Sequence, residues 1–260
     1  MKPTSNKIVN DLLGQLLADI QAVLGKRLIG LYLYGSATAG DFDVEVSDID
    51  LLAVVASDIT ETEFSKLKDM HNNFVQKYPN WKDRIEVAYL SLHGLQTFKT
   101  ERSKIVVISP GELLNVKEAG KDWLINWYVI QENGIPVFGP HQSSLIPKIS
   151  KQEYMEWIKK QTALWDERTK GYDEQSPRGS VAYAVLTMCR AMYASRYGQQ
   201  VSKNQAASWV KQEFPHWASL VDSAIAWRKR QWEEIQESVG SELGQVVEFL
   251  NFAIDYVMKA

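Results

Sequence analysis

Two aspartates, Asp48 and Asp50, open the apolar run DIDLLAVVA (48–56), and an earlier apolar run, RLIGLYLYG (27–35), leads into Gly35-Ser36 with eleven residues between Ser36 and Asp48. In an extended chain alternate side chains share a face. Both carboxylates therefore project together, while Ile49 points the opposite way into a core. Carboxylates left dry and unpaired cost several kcal/mol. A divalent cation removes that cost, and hard oxygens on one face suit Mg²⁺, which keeps waters and phosphate oxygens for the rest of its shell. A third acid, Glu86, interrupts the strand-forming segment RIEVAYL. If that segment lies beside the aspartate strand, Glu86 reaches the same point, either as a further metal ligand or as general base on an attacking hydroxyl. Gly35 lets the backbone approach closely, and the Ser36 hydroxyl with nearby amides can hold a triphosphate. A lone Asp-x-Asp is commonly a solvated turn. A strand, a Gly-Ser turn, an acid pair opening a second strand and an acid in a third strand together describe a phosphate cradle, metal ligands and a base. That set matches in-line attack on a nucleotide phosphorus.

Local elements must bring these residues together. IVNDLLGQLLADIQAVLG repeats apolar residues at three- and four-residue spacing and stops at Gly25, which predicts a helix. TETEFSKLKDMHNNFVQKY predicts a second helix capped by Thr60, and DRIEVAYLSL a third strand. The order helix, strand, strand, helix, strand makes the first half a small α/β domain. Around VFGPHQSSLIPKIS (137–150) glycine, proline and serine cluster and long periodicity stops. Beyond it five segments predict helices: 150–168, 180–198, 202–214, 217–235 and 243–258. Ser150, Ser202 and Ser241 read as N-caps and Gly198 as a stop. The fold class is thus α+β, with a mixed sheet and flanking helices over 1–145 and an all-α bundle over 146–260.

The totals limit the alternatives. The chain has 260 residues, 45% apolar and 23% charged, with a formal charge of −3. This is globular composition, without the basic excess of a dedicated nucleic-acid binder. A single cysteine, Cys189, forms no internal disulfide and points to a reducing compartment. No secretory leader pattern and no uninterrupted apolar span stand out. The expectation is a cytoplasmic, monomeric protein with no nucleic-acid or membrane partner. His71, His93, His141 and His216 show no metal-ligand spacing. Cys189 sits beside Met188 in a helix and reads as core. The nine tryptophans, most of them after position 120, read first as core packing.

YGSATAG followed by SDIDLL resembles the signature of DNA polymerase β-type nucleotidyltransferases. Within that superfamily the likeness narrows to the adenylyltransferases that modify streptomycin and spectinomycin. There an LYGSA-AG segment, SDIDLL and an LEV strand follow in this order; here they are 33–40, 47–52 and 85–87. DWLINWYVIQENG (122–134) and VLTMCRAMYASRYGQQVSKNQAASW (185–209) resemble further family segments, the second much more specifically. The resemblance implies transfer of AMP from ATP, with Mg²⁺, to a hydroxyl of a small polar acceptor, an aminoglycoside or aminocyclitol, with the helical half completing the nucleotide and acceptor cleft. It implies that Asp48 and Asp50 bind Mg²⁺ and that Glu86 is the base. Gly35, Ser36 and Ser47 would line the ATP phosphates, and Arg190 and Lys203 would meet them from the helical half. Trp123 and Trp165 match tryptophans of the acceptor pocket, and Trp227 aligns loosely with an aromatic that meets the nucleotide.

The chain also departs from the pattern. The loop before the aspartates is one residue longer and carries Asp41, Asp43 and Glu45. Where streptomycin-modifying members carry an acid and often a histidine, this chain has Ser180 and Tyr183. In the longer segment DERTKGYDEQSPRGS, Asp173 and Glu174 are candidates to supply negative charge to a cationic acceptor. Two rival readings remain: a nucleotidyltransferase with another antibiotic, a metabolite or a protein as acceptor, and a non-catalytic nucleotide-binding homologue. The presence of all three acids speaks against the second.

Overall fold

A computed structural model describes Thr4, residues 6–229 and residues 237–260. Helix α1 (Lys7–Leu24) starts where the Asn6 side chain accepts from the amides of Ile8 and Val9, and it stops at Gly25, held at φ 53°. Its stripe of Val9, Leu12, Leu13, Leu16, Ile20 and Leu24 is buried. By length and composition this helix could cross a membrane, but the stripe belongs to a core shared with the sheet. Helix α2 (Glu61–Lys77) begins with a capping box between Thr60 and Glu63, which satisfies two of the first-turn amides.

The sheet has strands β1 (Leu28–Tyr34), β2 (Ile49–Val55), β3 (Ile85–Ser91), β4 (Ser103–Ser109), β5 (Glu112–Ala119) and β6 (Ile135–Phe138). Their order is β5-β4-β3-β2-β1-β6. Only the β2–β3 pair is parallel. Parallel neighbours need a crossover, and α2 supplies it. Leu31 and Leu33 of β1, Leu51, Ala53 and Val55 of β2, and Val87 and Tyr89 of β3 join α1 and α2 in the core. The alternate residues, among them Tyr34, Asp50 and Glu86, lie on the other face. Helix α3 (Leu92–Thr97), absent from the sequence reading, and helix α4 (Leu124–Asn133), within the segment 122–134 that resembles a helix of the family, complete this part of the chain. The hairpin β4–β5, which turns at Gly111 with φ 75°, and the short edge strand β6 were also absent from that reading.

The chain divides into two compact units, the first ending at Ile149 and the second starting at Ser150. Residues 146–149 stay with the first because Ile146 and Ile149 are buried and the Ile149 amide donates to Gln131. The second unit is helical: α5 (Lys151–Ala163), α6 (Trp165–Thr169), α7 (Arg178–Tyr197), α8 (Lys203–Glu213), α9 (Ala218–Lys229) and α10 (Leu243–Lys259). Ser150 and Ser202 each form a capping box, and Gly198 ends α7 in the left-handed conformation. Two expectations need correction. The helix over 150–168 breaks at Leu164 into α5 and α6. Ser241 caps nothing: it lies inside a 3-10 turn, Gly240–Glu242, which Gly240 enters at φ 55°, and Glu242 occupies the cap position of α10. The end of the segment expected as helix over 217–235 lies outside the described residues.

Within the first core His71 of α2 is 2% exposed and shares a 2.8 Å hydrogen bond with the Tyr89 hydroxyl. Burial lowers its pKa from 6.5 to about 4. The unfolded chain therefore takes up this proton first as pH falls. The stability His71 contributes as a neutral ring is present above 6.5 and is lost as pH falls towards 4, a loss of about 3 kcal/mol. Urea unfolding of the wild type and of His71→Asn across this range should show the dependence flattened in the variant; parallel curves would contradict the assignment.

Candidate active site

Four strand ends meet at one edge of the sheet. β2 and β3 are parallel, so their first residues lie side by side, with Asp50 opposite Glu86 at the strand spacing of about 4.8 Å. β1 runs the other way, which sets Tyr34 opposite Asp50 and delivers Gly35 and Ser36 to the same edge. β4 is antiparallel to β3 with Ile108 opposite Val87, so Ser109 is the next residue towards that edge. Asp48 immediately precedes β2, half-buried, with its Oδ1 withdrawn from solvent. Ile49, fully buried, anchors the pair from the opposite face.

Gly35 has a strict steric role. It sits at φ 72°, and a Cβ there would lie 1.9 Å from Oδ2 of Asp50. The turn is therefore wrapped onto the aspartate, and only glycine leaves room for it. Gly35–Ala37 forms a single 3-10 turn, in which the Gly35 carbonyl accepts from the Thr38 amide and hydroxyl. Ser36 is half-buried beside it. Ser47 is 1% exposed, and its hydroxyl accepts from the Asp43 amide at 3.0 Å, so here it closes the loop that leads to Asp48.

The electrostatics are governed by burial, with neighbouring acids adding to it. Burial raises the pKa of Glu86, and the charge of Asp48 adds to it; hydrogen bonds from Tyr34 and Ser109 and the charge of Lys117 oppose it. The Tyr34 hydroxyl donates to Glu86 Oε1 at 3.2 Å. Its own pKa is driven well up by burial and by the charges of Glu86 and Asp50. Tyr34, Ser109 and Asn126, which also bonds to the Tyr34 hydroxyl, were not among the sequence candidates. Tyr34 had a visible cue, since it directly precedes Gly35.

The donor set fits Mg²⁺: hard carboxylate oxygens on one face, with the Gly35 turn folded against Asp50. Among the described residues no group of three or more His, Cys, Asp and Glu side chains is gathered so as to hold a metal alone. Mg²⁺ needs fewer protein ligands than that, because waters and phosphate oxygens fill its octahedron. The residues that would hold it are Asp48 and Asp50, with Glu86 alongside and bonded to Tyr34.

The remaining candidates lie elsewhere in the two units. In the first, Trp123 stacks on the fully buried Trp127 with centroids 5.4 Å apart. In the second, Trp165 is buried beside the half-exposed Tyr183, centroids 6.3 Å apart. Arg168 lies over Trp165 at 5.1 Å and the Lys203 ammonium over Tyr183 at 5.3 Å. Arg190 follows Tyr183 by two turns of α7; its Nε is buried and has no hydrogen-bond partner among the described residues. Asp173 is exposed, and its carboxylate accepts from the Gln175 amide and the Ser176 hydroxyl in a local turn. That loop is tied down by backbone bonds from Val239 to Ser176 and from Gly240 to Glu174. Trp227 is buried beneath Arg178. Cys189 is fully buried, with its thiol pushed up to about 12, and takes no part in any of these groups.

A mixed sheet with paired carboxylates behind a glycine turn, followed by a helical unit, is the arrangement of a nucleotidyltransferase. Residues 144–255 match the family model "Aminoglycoside adenylyltransferase, C-terminal domain". Spectinomycin 9-adenylyltransferases of Staphylococcus aureus strains Mu50 and N315 are 24% identical over 96% of this chain and 96% of their own length. The crystal structure of spectinomycin adenyltransferase AAD(9) from Enterococcus faecialis, solved with ATP and spectinomycin, superposes with a TM-score of 0.72 at 17% identity, covering 95% of this chain and 98% of that one. The helical unit therefore matches the C-terminal domain of the aminoglycoside adenylyltransferases, and the likeness to the spectinomycin adenylyltransferases extends over nearly the whole chain.

Two expectations follow from the geometry. Gly35→Ala forces the Asp50 carboxylate aside, and a displacement of that order costs about 100-fold in turnover; wild-type turnover in this variant would contradict the cradle. Glu86→Gln tests the buried charge. The folded-state pKa of Glu86 is raised, so folding is penalised once pH exceeds the ordinary carboxylate value of 4.5 and unpenalised below it. In metal-free buffer the variant should melt higher than wild type at pH 7, with the gap closing in acid.

Proposed function

We propose that this chain transfers AMP from ATP to a hydroxyl of an aminocyclitol antibiotic of the spectinomycin type and releases pyrophosphate. The observation that carries this reading is the parallel register placing Glu86 next to Asp50, on the face against which the Gly35 turn is folded. The relatives in the family give the nucleotide and the acceptor class.

Asp48 and Asp50 would hold a Mg²⁺ accompanying the triphosphate, which would supply charge neutralisation to the phosphates and the leaving pyrophosphate. The Gly35–Ser36 turn lies against the phosphates. Glu86 takes the proton of the acceptor hydroxyl. The freed oxygen pair forms the new bond to the α-phosphorus, the bond from that phosphorus to the bridging oxygen breaks, and pyrophosphate carries the displaced pair. Glu86 suits this role because burial and Asp48 lift its proton affinity above that of an ordinary carboxylate. Tyr34 holds Oε1 in place. In the helical unit Trp165 and Tyr183 provide apolar surface for the rings of the acceptor, and Asp173 negative charge for its ammonium groups. The chain works in the cytoplasm as a monomer.

A sensitive host expressing the chain should gain resistance to spectinomycin when tested beside streptomycin and kanamycin, and the Glu86→Gln variant should give none. The purified variant should bind ATP with wild-type affinity and lose at least 100-fold in pyrophosphate release. Resistance to one of the other drugs alone would reassign the acceptor. Wild-type turnover in the variant would remove Glu86 as base. Absence of pyrophosphate release with every acceptor would return the chain to nucleotide binding without transfer.

A further inference from the structure

Arg84, two residues before Glu86, is 8% exposed. A buried cation is costly unless its donors are matched, and this one is matched almost wholly by backbone. Its Nη2 donates to the carbonyls of Ser47 at 2.6 Å and Val44 at 2.7 Å, and its Nε to Ser47 at 3.2 Å. Nη1 reaches the Asn80 carbonyl at 3.4 Å. The guanidinium lies over the Trp81 ring at 4.7 Å, and Phe42, from the same loop as Val44 and Ser47, stacks on Trp81 with centroids 6.4 Å apart and planes at 20°. The backbone also joins here: the Ile49 amide donates to the Arg84 carbonyl at 2.9 Å. Just before Arg84 the chain turns through Asp83, which holds φ 55°, a left-handed turn conformation that aspartate tolerates better than most residues.

Arg84 therefore grips the peptide immediately before Asp48 from below, while its own peptide holds the one after it. We propose that Arg84 is a positioning residue that fixes Asp48, and thereby sets the affinity of the site for the divalent cation, with Trp81 as its platform. The inference rests on the reading of Asp48 as a cation ligand. The arrangement uses the planar fork: two nitrogens converge on one carbonyl while a third donor serves another. A lysine ammonium is a single point on a flexible stem and cannot reproduce it.

The test compares wild type with Arg84→Lys and Arg84→Met. Amide hydrogen exchange over residues 44–49 of the free protein reads the grip without any ligand. Direct binding of Mn²⁺, with and without ATP, reads the cation site without turnover. Both variants should exchange these amides at least 10-fold faster and bind Mn²⁺ at least 10-fold more weakly, with ATP affinity in the absence of metal unchanged. Lysine, which keeps the charge and is the milder change, should still fold if methionine does not. Unchanged exchange over 44–49, or faster exchange with unchanged Mn²⁺ affinity, overturns the proposal. Wild type that binds neither Mn²⁺ nor ATP overturns the nucleotidyltransferase reading instead, and the exchange result still decides the grip.

Discussion

Keeping the carboxyl groups of Asp48, Asp50 and Glu86 together in a partly dry place is the constraint around which the first unit is organised. Burial disfavours charge on Glu86 and the charge of Asp48 adds to that, and a flexible chain would let the groups drift apart. Here each is fixed by something rigid. Asp50 and Glu86 are locked in register by the parallel pairing of β2 with β3, which exists because α2 carries the chain across. Ile49 and Val87, on the opposite face, are fully buried against α1 and α2, so the carboxylates cannot turn away without exposing core. Tyr34 places a hydroxyl against Glu86, a neutral donor in a setting where a cation would quench the basicity the chemistry needs. The core thus holds the three carboxyl groups together.

The helical unit solves a different problem with different means. α7 is buried over most of its circumference, with Val181, Ala182, Val185, Leu186, Cys189 and Met192 sealed inside. Its remaining stripe carries Tyr183, Thr187 and Arg190, three- and four-residue spacings that share one helix face. Thr187 Oγ1 and Arg190 Nε are buried without hydrogen-bond partners among the described residues. Rings of Tyr193, Tyr197, Trp209, Phe214 and Tyr256 meet largely edge to face, the orientation in which a positive ring edge faces a negative ring surface. The abundance of tryptophan in this half is thus spent on packing at Trp217 and Trp227, and on flanking polar side chains at Trp165.

Much of this was legible in the residues because two signals are local. An acid in an otherwise apolar strand stands out, as at Asp50 and Glu86, and helices announce themselves by spacing and caps, as at Ser150 and Ser202. What escaped depends on pairing partners remote in sequence. β5 exposes Leu113 and Val116 and carries Lys117 and Glu118, so its pattern is not that of a half-buried strand, although Pro110-Gly111 marks its turn. Ser109 and Tyr34 gain meaning only once the register is known, and Arg84 only once the loop before Asp48 is closed over it. Ser241 misled because a cap residue type preceded an apolar run, whereas the backbone enters that helix through Gly240. The roles of Arg190, Lys203, Trp123 and Trp165 rest on resemblance to the family rather than on contacts within either unit, and those of Tyr183 and Asp173 on positions where the chain departs from it.

The sealed thiol of Cys189 has a practical side. With its sulfur inaccessible and held far from the thiolate form, it is inert to maleimides at neutral pH. Cysteines engineered onto the outside of each unit can then carry dyes with no need to delete the native one.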